Sequence, residues 1–305
     1  MIPTPPKPNF FIVGAPRCGT TALSEYLRTH PDVFFSQPKE PHYFYTDRPK
    51  DQYIFPTDED YLSICFKGAD GHQAIGEGST WYLYSTEAVP NILRFNPKAK
   101  YIVMVRHPVD LFRSLYHHLV FMQEEDAPTP EAAWRLQKTR SRGENLPRHF
   151  FYQKTLQYGD ICKLGEQLER LYQHISPDRV RVIFFDDLQS DPRMVYQETL
   201  TFLGLTDDGR TSFPVVNFSK RSRFPLFDRL VLEVAGLKRH LGIKRSFGLL
   251  KPLKRAAAKT STEPLSQPFA DELLTFFADD IKKLQHLTGR DLSHWLLREE
   301  SAGRD

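Results

Sequence analysis

The stretch that decides the fold is Phe10-Phe11-Ile12-Val13-Gly14-Ala15-Pro16-Arg17-Cys18-Gly19-Thr20-Thr21. It begins with four apolar residues in a row, which is typical of a strand buried on both faces of a parallel sheet. A loop with two glycines follows, and a helix is predicted to begin near Thr20. Such a turn presents successive backbone N–H groups beside the positive end of the helix dipole. The stretch therefore predicts a cradle for a phosphate or sulfate group.

The loop is close to the Walker A pattern but departs from it at one position. Thr20 stands where a nucleoside triphosphatase has the lysine that binds the β- and γ-phosphates. The cation of this loop is instead Arg17, three residues earlier. A tight structural connection is the alternative explanation, but an arginine and two threonines at these positions favour an anion site. We expect a single phosphate with an attached transferring group, and no triphosphate–metal complex.

Further apolar runs and helical patterns indicate the fold class. Strands are predicted at Tyr101–Val105 and Val180–Phe185. Helices are predicted from Pro108, over 164–175, over Pro192–Leu203 before Gly204, and over 273–287 before Gly289. Strands that alternate with helices predict an α/β fold with a P-loop-like, doubly wound parallel sheet flanked by helices. We expect a single domain over 1–305, with an N-terminal arm (1–8), a basic and potentially mobile segment (238–268) and a frayed tail (301–305).

Composition excludes several classes of protein. The net charge of +3 is too small for a nucleic-acid coat, so no nucleic-acid partner is expected. The three cysteines are odd in number and lack metal-ligand spacing, which indicates reduced thiols and no metal site. No signal peptide fits the N-terminus, and no apolar run approaches the length of a transmembrane segment. We therefore expect a cytoplasmic protein, whose oligomeric state the sequence does not indicate.

A second anion site is predicted after the strand Tyr101–Val105. Arg106 follows this strand directly, and Ser114 lies eight residues later in the helix that starts at Pro108. Ligands of open α/β sheets bind at the carboxyl ends of the strands, and an arginine and a hydroxyl can share one phosphate. Taken alone, Arg106 could form a salt bridge and Ser114 could be a tolerated helix serine. The anion loop at the end of another strand favours the interpretation of Arg106 and Ser114 as a second anion site.

With these two sites the chain resembles the superfamily of sulfotransferases that use 3′-phosphoadenylyl sulfate (PAPS). Gly14–Ala22 is similar to the family's loop for the 5′-phosphosulfate, and Arg106 with Ser114 to its site for the 3′-phosphate. Other segments resemble the branch of heparan sulfate sulfotransferases and bacterial relatives: His30-Pro31-Asp32-Val33, Lys39-Glu40-Pro41-His42-Tyr43-Phe44, Gly76-Glu77-Gly78-Ser79, Phe185-Asp186-Asp187-Leu188 with Asp191-Pro192, and Thr288-Gly289-Arg290-Asp291-Leu292. The resemblance implies metal-free, in-line transfer of a sulfuryl group to a hydroxyl or amine of a carbohydrate, lipid or other small metabolite.

The resemblance also implies a role for each site residue. Glu40 is the implied general base, and a partly dry cleft is expected to raise its pKa toward neutrality. His42 is the rival base and is otherwise expected to line the acceptor cleft. Arg17 is expected to stabilise charge on the leaving oxygen and the sulfuryl group. The implied contacts of the 5′-phosphate are Cys18, Gly19, Thr20 and Thr21 beside Arg17.

Some basic residues match the family only loosely. Lys220-Arg221-Ser222-Arg223 falls where relatives have a basic loop near the nucleotide, so Arg221 and Arg223 are predicted contacts. A solvated basic face is the alternative, and Lys254 and Arg255 are further candidates. The chain also departs from the family pattern: many relatives have lysine at Arg17, although tyrosylprotein sulfotransferases have arginine, and heparan sulfate enzymes have a second lysine at Gly78.

Two other classes of function stay open from the sequence. A P-loop kinase or nucleoside triphosphatase would need Mg²⁺ and ATP, and Thr20 in place of the lysine argues against it. A non-catalytic module that senses 3′,5′-phosphoadenosine would keep Arg106 and the loop but would need no base. Acceptor specificity is expected to reside in the loops 44–73 and 122–147.

Overall fold

A single parallel sheet forms the centre of the molecule. The computed structural model describes residues 5–214, 221–222, 258–259 and 265–297. The sheet contains β1 (Phe10–Gly14), β2 (Val33–Phe35), β3 (Ala74–Glu77), β4 (Lys100–Val105) and β5 (Val180–Phe184). Their order is β2-β3-β1-β4-β5, and every neighbouring pair is parallel. The predicted α/β fold is confirmed.

The α-helices of the described residues connect and flank these strands. They are α1 (Thr20–Arg28), α2 (Asp58–Cys65), α3 (Ala88–Phe95), α4 (Pro108–Met122), α5 (Pro130–Arg140), α6 (Tyr158–Cys162), α7 (Leu164–Tyr172), α8 (Phe185–Ser190), α9 (Pro192–Leu203) and α10 (Gln267–Thr288). The predicted stop signals hold, since Gly204 and Gly289 follow α9 and α10 in the left-handed region, with φ of 81° and 67°. None of these helices combines the length and the apolar character needed to cross a bilayer.

Burial explains which strands the sequence revealed. All five residues of β1 are buried, as are the last five of β4, and apart from Lys100 at the start of β4 both strands are runs without a polar face. The predicted third strand is one residue too long, because Phe185 begins α8. The edge strand β2 and its neighbour β3 have only three and four residues, and β3 ends in the buried carboxylate Glu77. Such short segments have no distinct hydrophobic pattern.

The strand order places a crevice at the centre of the sheet. From β1 the chain passes to β2 and β3 on one side, and then crosses to β4 and β5 on the other. The carboxyl ends of β1 and β4 therefore meet at the point where the order reverses, which is where open α/β sheets bind ligands. Arg17 follows β1 and Arg106 follows β4, so both predicted anion sites lie at this point.

Candidate active site

The glycines of the first loop are required by close contacts. A Cβ atom on Gly14 would lie 2.8 Å from the carbonyl oxygen of Thr80, and one on Gly19 would lie 2.8 Å from the side chain of Leu188. Gly19 also has a φ of 89°, which strains residues with a side chain. It precedes α1, and no side chain caps that helix, so the first N–H groups of α1 are available to an anion.

Arg17, Ser114 and Arg106 form one cluster in the crevice. Nε of Arg17 donates to Oγ of Ser114 at 3.2 Å, and Nη1 of Arg106 donates to the carbonyl oxygen of Arg17 at 3.3 Å. The guanidinium of Arg106 also lies 4.6 Å from the ring centre of Phe185. The two predicted anion sites are therefore contiguous, because Ser114 contacts the arginine of the first loop.

Electrostatics makes this cluster receptive to an anion. Burial, followed by the neighbouring charge of Arg106, lowers the pKa of Arg17. Two guanidinium groups that are partly withdrawn from water repel one another, and a bound phosphate or sulfate would relieve both effects. Arg17 nevertheless remains charged at neutral pH, because arginine is not deprotonated in proteins.

The other predicted loop residues differ in what they can contribute. The thiol of Cys18 is fully buried and contacts the carbonyl oxygen of Pro16 at 3.6 Å, and burial raises its pKa to about 12. Its backbone N–H donates to the carbonyl oxygen of Ala15 at 3.4 Å, so a contact of Cys18 with the 5′-phosphate stays a prediction. Thr20 is buried, whereas Thr21 is half-buried at the start of α1. The hydroxyl of Thr21 is the more accessible of the two.

Glu40 lies among polar partners at the edge of the cluster. Lys39 donates to its Oε1 at 2.7 Å, and Oγ1 of Thr80 donates to its Oε2 at 3.1 Å. Nε2 of His42 lies 3.5 Å from the same Oε2. The charge of Glu40 also raises the pKa of Arg17, which is partial compensation for its burial. The structure thus brings Glu40, His42 and Arg17 into one site.

The expected direction of the Glu40 pKa is wrong. Burial by itself would raise it, but the charge of Lys39 heads the influences that lower it, and His42 and Thr80 act in the same direction. The net result is a pKa below the ordinary value of 4.5. About a third of the side chain is exposed (34%), so the cleft is wetter than the sequence suggested. Glu40 is ionised at neutral pH and can accept a proton.

His42 is held by its backbone as much as by its ring. Its N–H donates to Oγ of Ser79 at 3.0 Å, and its carbonyl oxygen accepts from Nη2 of Arg48 at 3.1 Å. Burial lowers the pKa of the imidazole to about 4, so the ring is neutral at neutral pH. Its Nδ1 is sealed from solvent without a hydrogen-bond partner among the described residues. Only Nε2 faces Glu40.

Glu77 is a buried carboxylate that the sequence analysis did not assign. It is fully buried at the end of β3, where Ser79 donates to Oε1 at 2.6 Å and Tyr61 donates to Oε2 at 2.5 Å. Burial raises its pKa to about 7, although its hydrogen bonds act in the opposite direction. Through Ser79 it holds the N–H of His42. Glu77 therefore helps to position the loop that carries Glu40.

His118 is the second residue that sequence reasoning missed. It lies four residues after Ser114 on α4, and burial lowers its pKa to about 4, with further influence from the charges of Arg17 and Glu40. The spacing of four residues puts Ser114 and His118 on one face of the helix. This spacing from Ser114 was the feature of the sequence from which His118 could have been assigned to the site. The imidazole of His118 is thus neutral at neutral pH and lies within electrostatic reach of Arg17 and Glu40.

The remaining predicted contacts lie largely beyond the described residues. Arg221 is described only as backbone in a short antiparallel pair, β6 (Arg221–Ser222) with β7 (Ala258–Lys259). Arg223, Lys254 and Arg255 lie outside the described residues, as do most of 238–268 and all of 301–305. Within the described ranges, no group of three or more His, Cys, Asp or Glu side chains is arranged to hold a metal ion.

Fold and site together define an α/β protein with a P-loop-like anion cradle and a second arginine–serine anion site at the switch point of its sheet. Comparison with known protein families gives the class more closely. Residues 7–225 match the model of the sulfotransferase domain family. This chain belongs to that family, whose members are enzymes that transfer sulfuryl groups and use PAPS as the donor.

Individual relatives agree with this assignment. Carbohydrate sulfotransferase 15 of Mus musculus is 36% identical over 152 residues, which cover 36% of this chain and 27% of that protein. The bifunctional heparan sulfate N-deacetylase/N-sulfotransferase 4 of Mus musculus is 26% identical over 307 residues, 96% of this chain and 31% of that protein. This chain thus spans less than a third of either relative. A crystal structure of a sulfotransferase from Alicyclobacillus acidocaldarius superposes with a TM-score of 0.70 at 27% identity, covering 95% of this chain and 99% of that one.

Proposed function

We propose that this chain transfers a sulfuryl group from PAPS to a hydroxyl or amine of a glycan or other small acceptor, without a metal ion. The observation that carries the proposal is the cluster of Arg17, Ser114 and Arg106 at the switch point of the sheet, with Glu40 beside it. The printed names of the relatives, a carbohydrate sulfotransferase and a heparan sulfate N-sulfotransferase, support a glycan acceptor.

The residues divide the chemistry among them. Arg106 and Ser114 bind the 3′-phosphate, and the N–H groups at the start of α1 bind the 5′-phosphate. Glu40 takes the proton of the acceptor as the new bond to sulfur forms and the bond from sulfur to the bridging oxygen breaks. Arg17 stabilises the charge that develops on that oxygen, and 3′,5′-phosphoadenosine leaves. Because the pKa of Glu40 is low, its carboxylate is ionised and can accept the proton of the acceptor. Lys39 already donates a hydrogen bond to Oε1, so the transferred proton competes with Lys39 for that oxygen.

Paired measurements on two variants test this proposal. Arg106→Ala should weaken the binding of 3′,5′-phosphoadenosine by about tenfold or more, because it removes a charged hydrogen-bond donor to phosphate. Glu40→Gln should lower turnover by about 10²–10⁴ and leave that affinity nearly unchanged. Binding is measured by titration calorimetry, and turnover by mass spectrometry of an acceptor panel, as a PAPS-dependent gain of about 80 Da. Arg181→Ala, on β5, is the control for removal of an arginine.

The outcomes separate the alternative classes. If Arg106→Ala binds 3′,5′-phosphoadenosine as tightly as the wild type, the assignment of Arg106 to a second anion site is wrong. Nucleotide binding by the wild type without turnover on any acceptor would indicate a sensing module, and a requirement for Mg²⁺ and ATP would indicate a nucleoside triphosphatase. The contacts of Arg221 and Arg223 with the nucleotide stay predictions, and so does the cytoplasmic location.

A further inference from the structure

A further cleft adjoins the loop that carries Glu40 and His42. It is a cavity of about 560 Å³ between residues 43–58 and α3, and we call it the loop–α3 cleft. Its walls combine aromatic rings with polar side chains. Those that matter for its chemistry are Arg48, Tyr53, Asp58, Glu87, Asn91 and Arg94.

Arg48 is a buried cation with few partners. Only 7% of the residue is exposed, and within the described part of the chain its one hydrogen bond is from Nη2 to the carbonyl oxygen of His42 at 3.1 Å. Its Nε is sealed from solvent and has no acceptor among those same residues. Across the described ranges, no carboxylate lies within ion-pair distance of this guanidinium. The rings of Tyr45 and Tyr53 lie 5.9 and 5.6 Å from it.

The positive charge of Arg48 has no negative partner among the described residues. A buried cation is normally paired with an anion, because removal of a charge from water is costly. The carboxylates of the cleft do not serve Arg48, since Asp58 accepts from the hydroxyl of Tyr43 and Glu87 accepts from that of Thr46. On α3, at the exposed edge of the cleft, Arg94 contacts only the side chain of Asn91 among the described residues. Two guanidinium groups therefore line one cavity, and neither has a carboxylate partner.

We propose that the loop–α3 cleft binds a carboxylate or sulfate group of the acceptor, with Arg48 in its depth and Arg94 at its edge, while a ring of the acceptor packs against Tyr53. Tyr53 is 39% exposed and offers such a surface. That the ligand is the acceptor rests on the proposed function. Arg48 donates to the backbone carbonyl oxygen of His42, and the ring of His42 lies 3.5 Å from Glu40, so one residue separates this cleft from the proposed base.

A pair of ligands that differ in one carboxylate tests the proposal. By titration calorimetry, 4-nitrophenyl β-D-glucuronide should bind the wild type about tenfold or more tightly than 4-nitrophenyl β-D-glucoside, because only the former makes charged hydrogen bonds to arginine. Arg48→Ala should abolish this preference, and Arg48→Lys, which keeps the charge but not the planar fork, should retain part of it. Arg94→Ala should reduce it by about threefold or more without affecting folding, because Arg94 is exposed.

A crossed design separates this proposal from the proposed function. Arg48→Ala should bind 3′,5′-phosphoadenosine like the wild type, and Arg106→Ala should bind the glucuronide like the wild type. Equal binding of both glycosides by the wild type, or an unchanged preference in both Arg48→Ala and Arg94→Ala, would overturn the proposal. Loss of glucuronide binding in Arg106→Ala would also overturn it, since the anion would then occupy the phosphate site. If the wild type does not bind 3′,5′-phosphoadenosine but still prefers the glucuronide, the proposed function is wrong and the proposal for the cleft is not.

Discussion

Glu77→Gln is expected to flatten the pH dependence of the protein's stability. Burial raises the pKa of Glu77 to about 7 in the folded protein, whereas the same carboxyl in the unfolded chain titrates near its ordinary value of 4.5. Below pH 4.5 the carboxyl is protonated in both states, so its contribution to the free energy of unfolding is complete. As the pH rises from 4.5 to 7, the unfolded chain releases the proton first, and the contribution is lost.

The size of the effect follows from these two pKa values. They differ by about 2.5, and each pKa unit is worth 1.36 kcal/mol, so the wild type should lose about 3 kcal/mol through Glu77 by pH 8. Glutamine has nearly the same shape and does not titrate. The difference in the free energy of unfolding between wild type and Glu77→Gln should therefore change by about 2.5 kcal/mol between pH 5 and pH 8 in favour of the variant, because a part of the total is already lost at pH 5.

Urea denaturation followed by tryptophan fluorescence at half-unit steps of pH measures this difference. Ser79→Ala supplies a second perturbation. Ser79 donates to Oε1 of Glu77, and the loss of that donor should raise the pKa of Glu77 further and move the loss of stability to higher pH. Parallel curves for the wild type and Glu77→Gln over the whole range would refute the reasoning, because the carboxyl would then titrate alike in both states.

Three further predictions concern the reaction and the framework. Since the pKa of Glu40 lies below 4.5 and that of His118 is about 4, kcat/KM should be level between pH 6 and 8 and fall only below about pH 5; a fall centred near pH 6.5 would contradict this. His118→Ala should lower kcat by less than about 10², and a larger loss than in Glu40→Gln would transfer the role of base to His118. Glu125→Gln breaks the fully buried pair with Arg140, in which Nη1 and Nη2 donate at 2.5 and 2.7 Å, and should cost about 3–5 kcal/mol in urea denaturation. Asp126→Asn, a change at an exposed partner of the same arginine, should cost less than about 1 kcal/mol.

The fold could be predicted as far as hydrophobic runs revealed it. β1 and most of β4 are buried apolar runs, β5 is apolar apart from Arg181, and α9 and α10 end at the glycines that were expected. β2 and β3 escaped prediction because three or four residues carry too little pattern. The segment 122–147 was expected to be a loop, but it contains the helix α5 (Pro130–Arg140). Thr129 caps α5, and the buried pair of Glu125 with Arg140 fixes the segment.

The sequence indicated which residues of the candidate site lie close together. Arg17 follows β1 and Arg106 follows β4, and neighbouring parallel strands end at the same edge of the sheet, while Ser114 lies on α4 directly after β4. The pKa of Glu40 could not be predicted, because its direction depends on where the side chain of Lys39 turns. Glu77 was missed for a similar reason. A glutamate is expected at the surface, and its burial here depends on the hydroxyl groups of Ser79 and of Tyr61, which is 16 residues away in the sequence.

Three neighbouring strands end beside the site. This arrangement separates the strand ends, which must be conserved for the site to form, from the connecting segments, which are free to vary. β3, β1 and β4 lead into Ser79 and Thr80, Arg17 and Arg106, so the spacing of the reacting groups is set by the width of the sheet and not by the length of any connection. Insertions or deletions within the connecting segments 49–57 or 141–157 should leave that spacing intact. Such a molecule can acquire a new acceptor through changes in its connecting segments while the machinery for the donor is inherited unaltered.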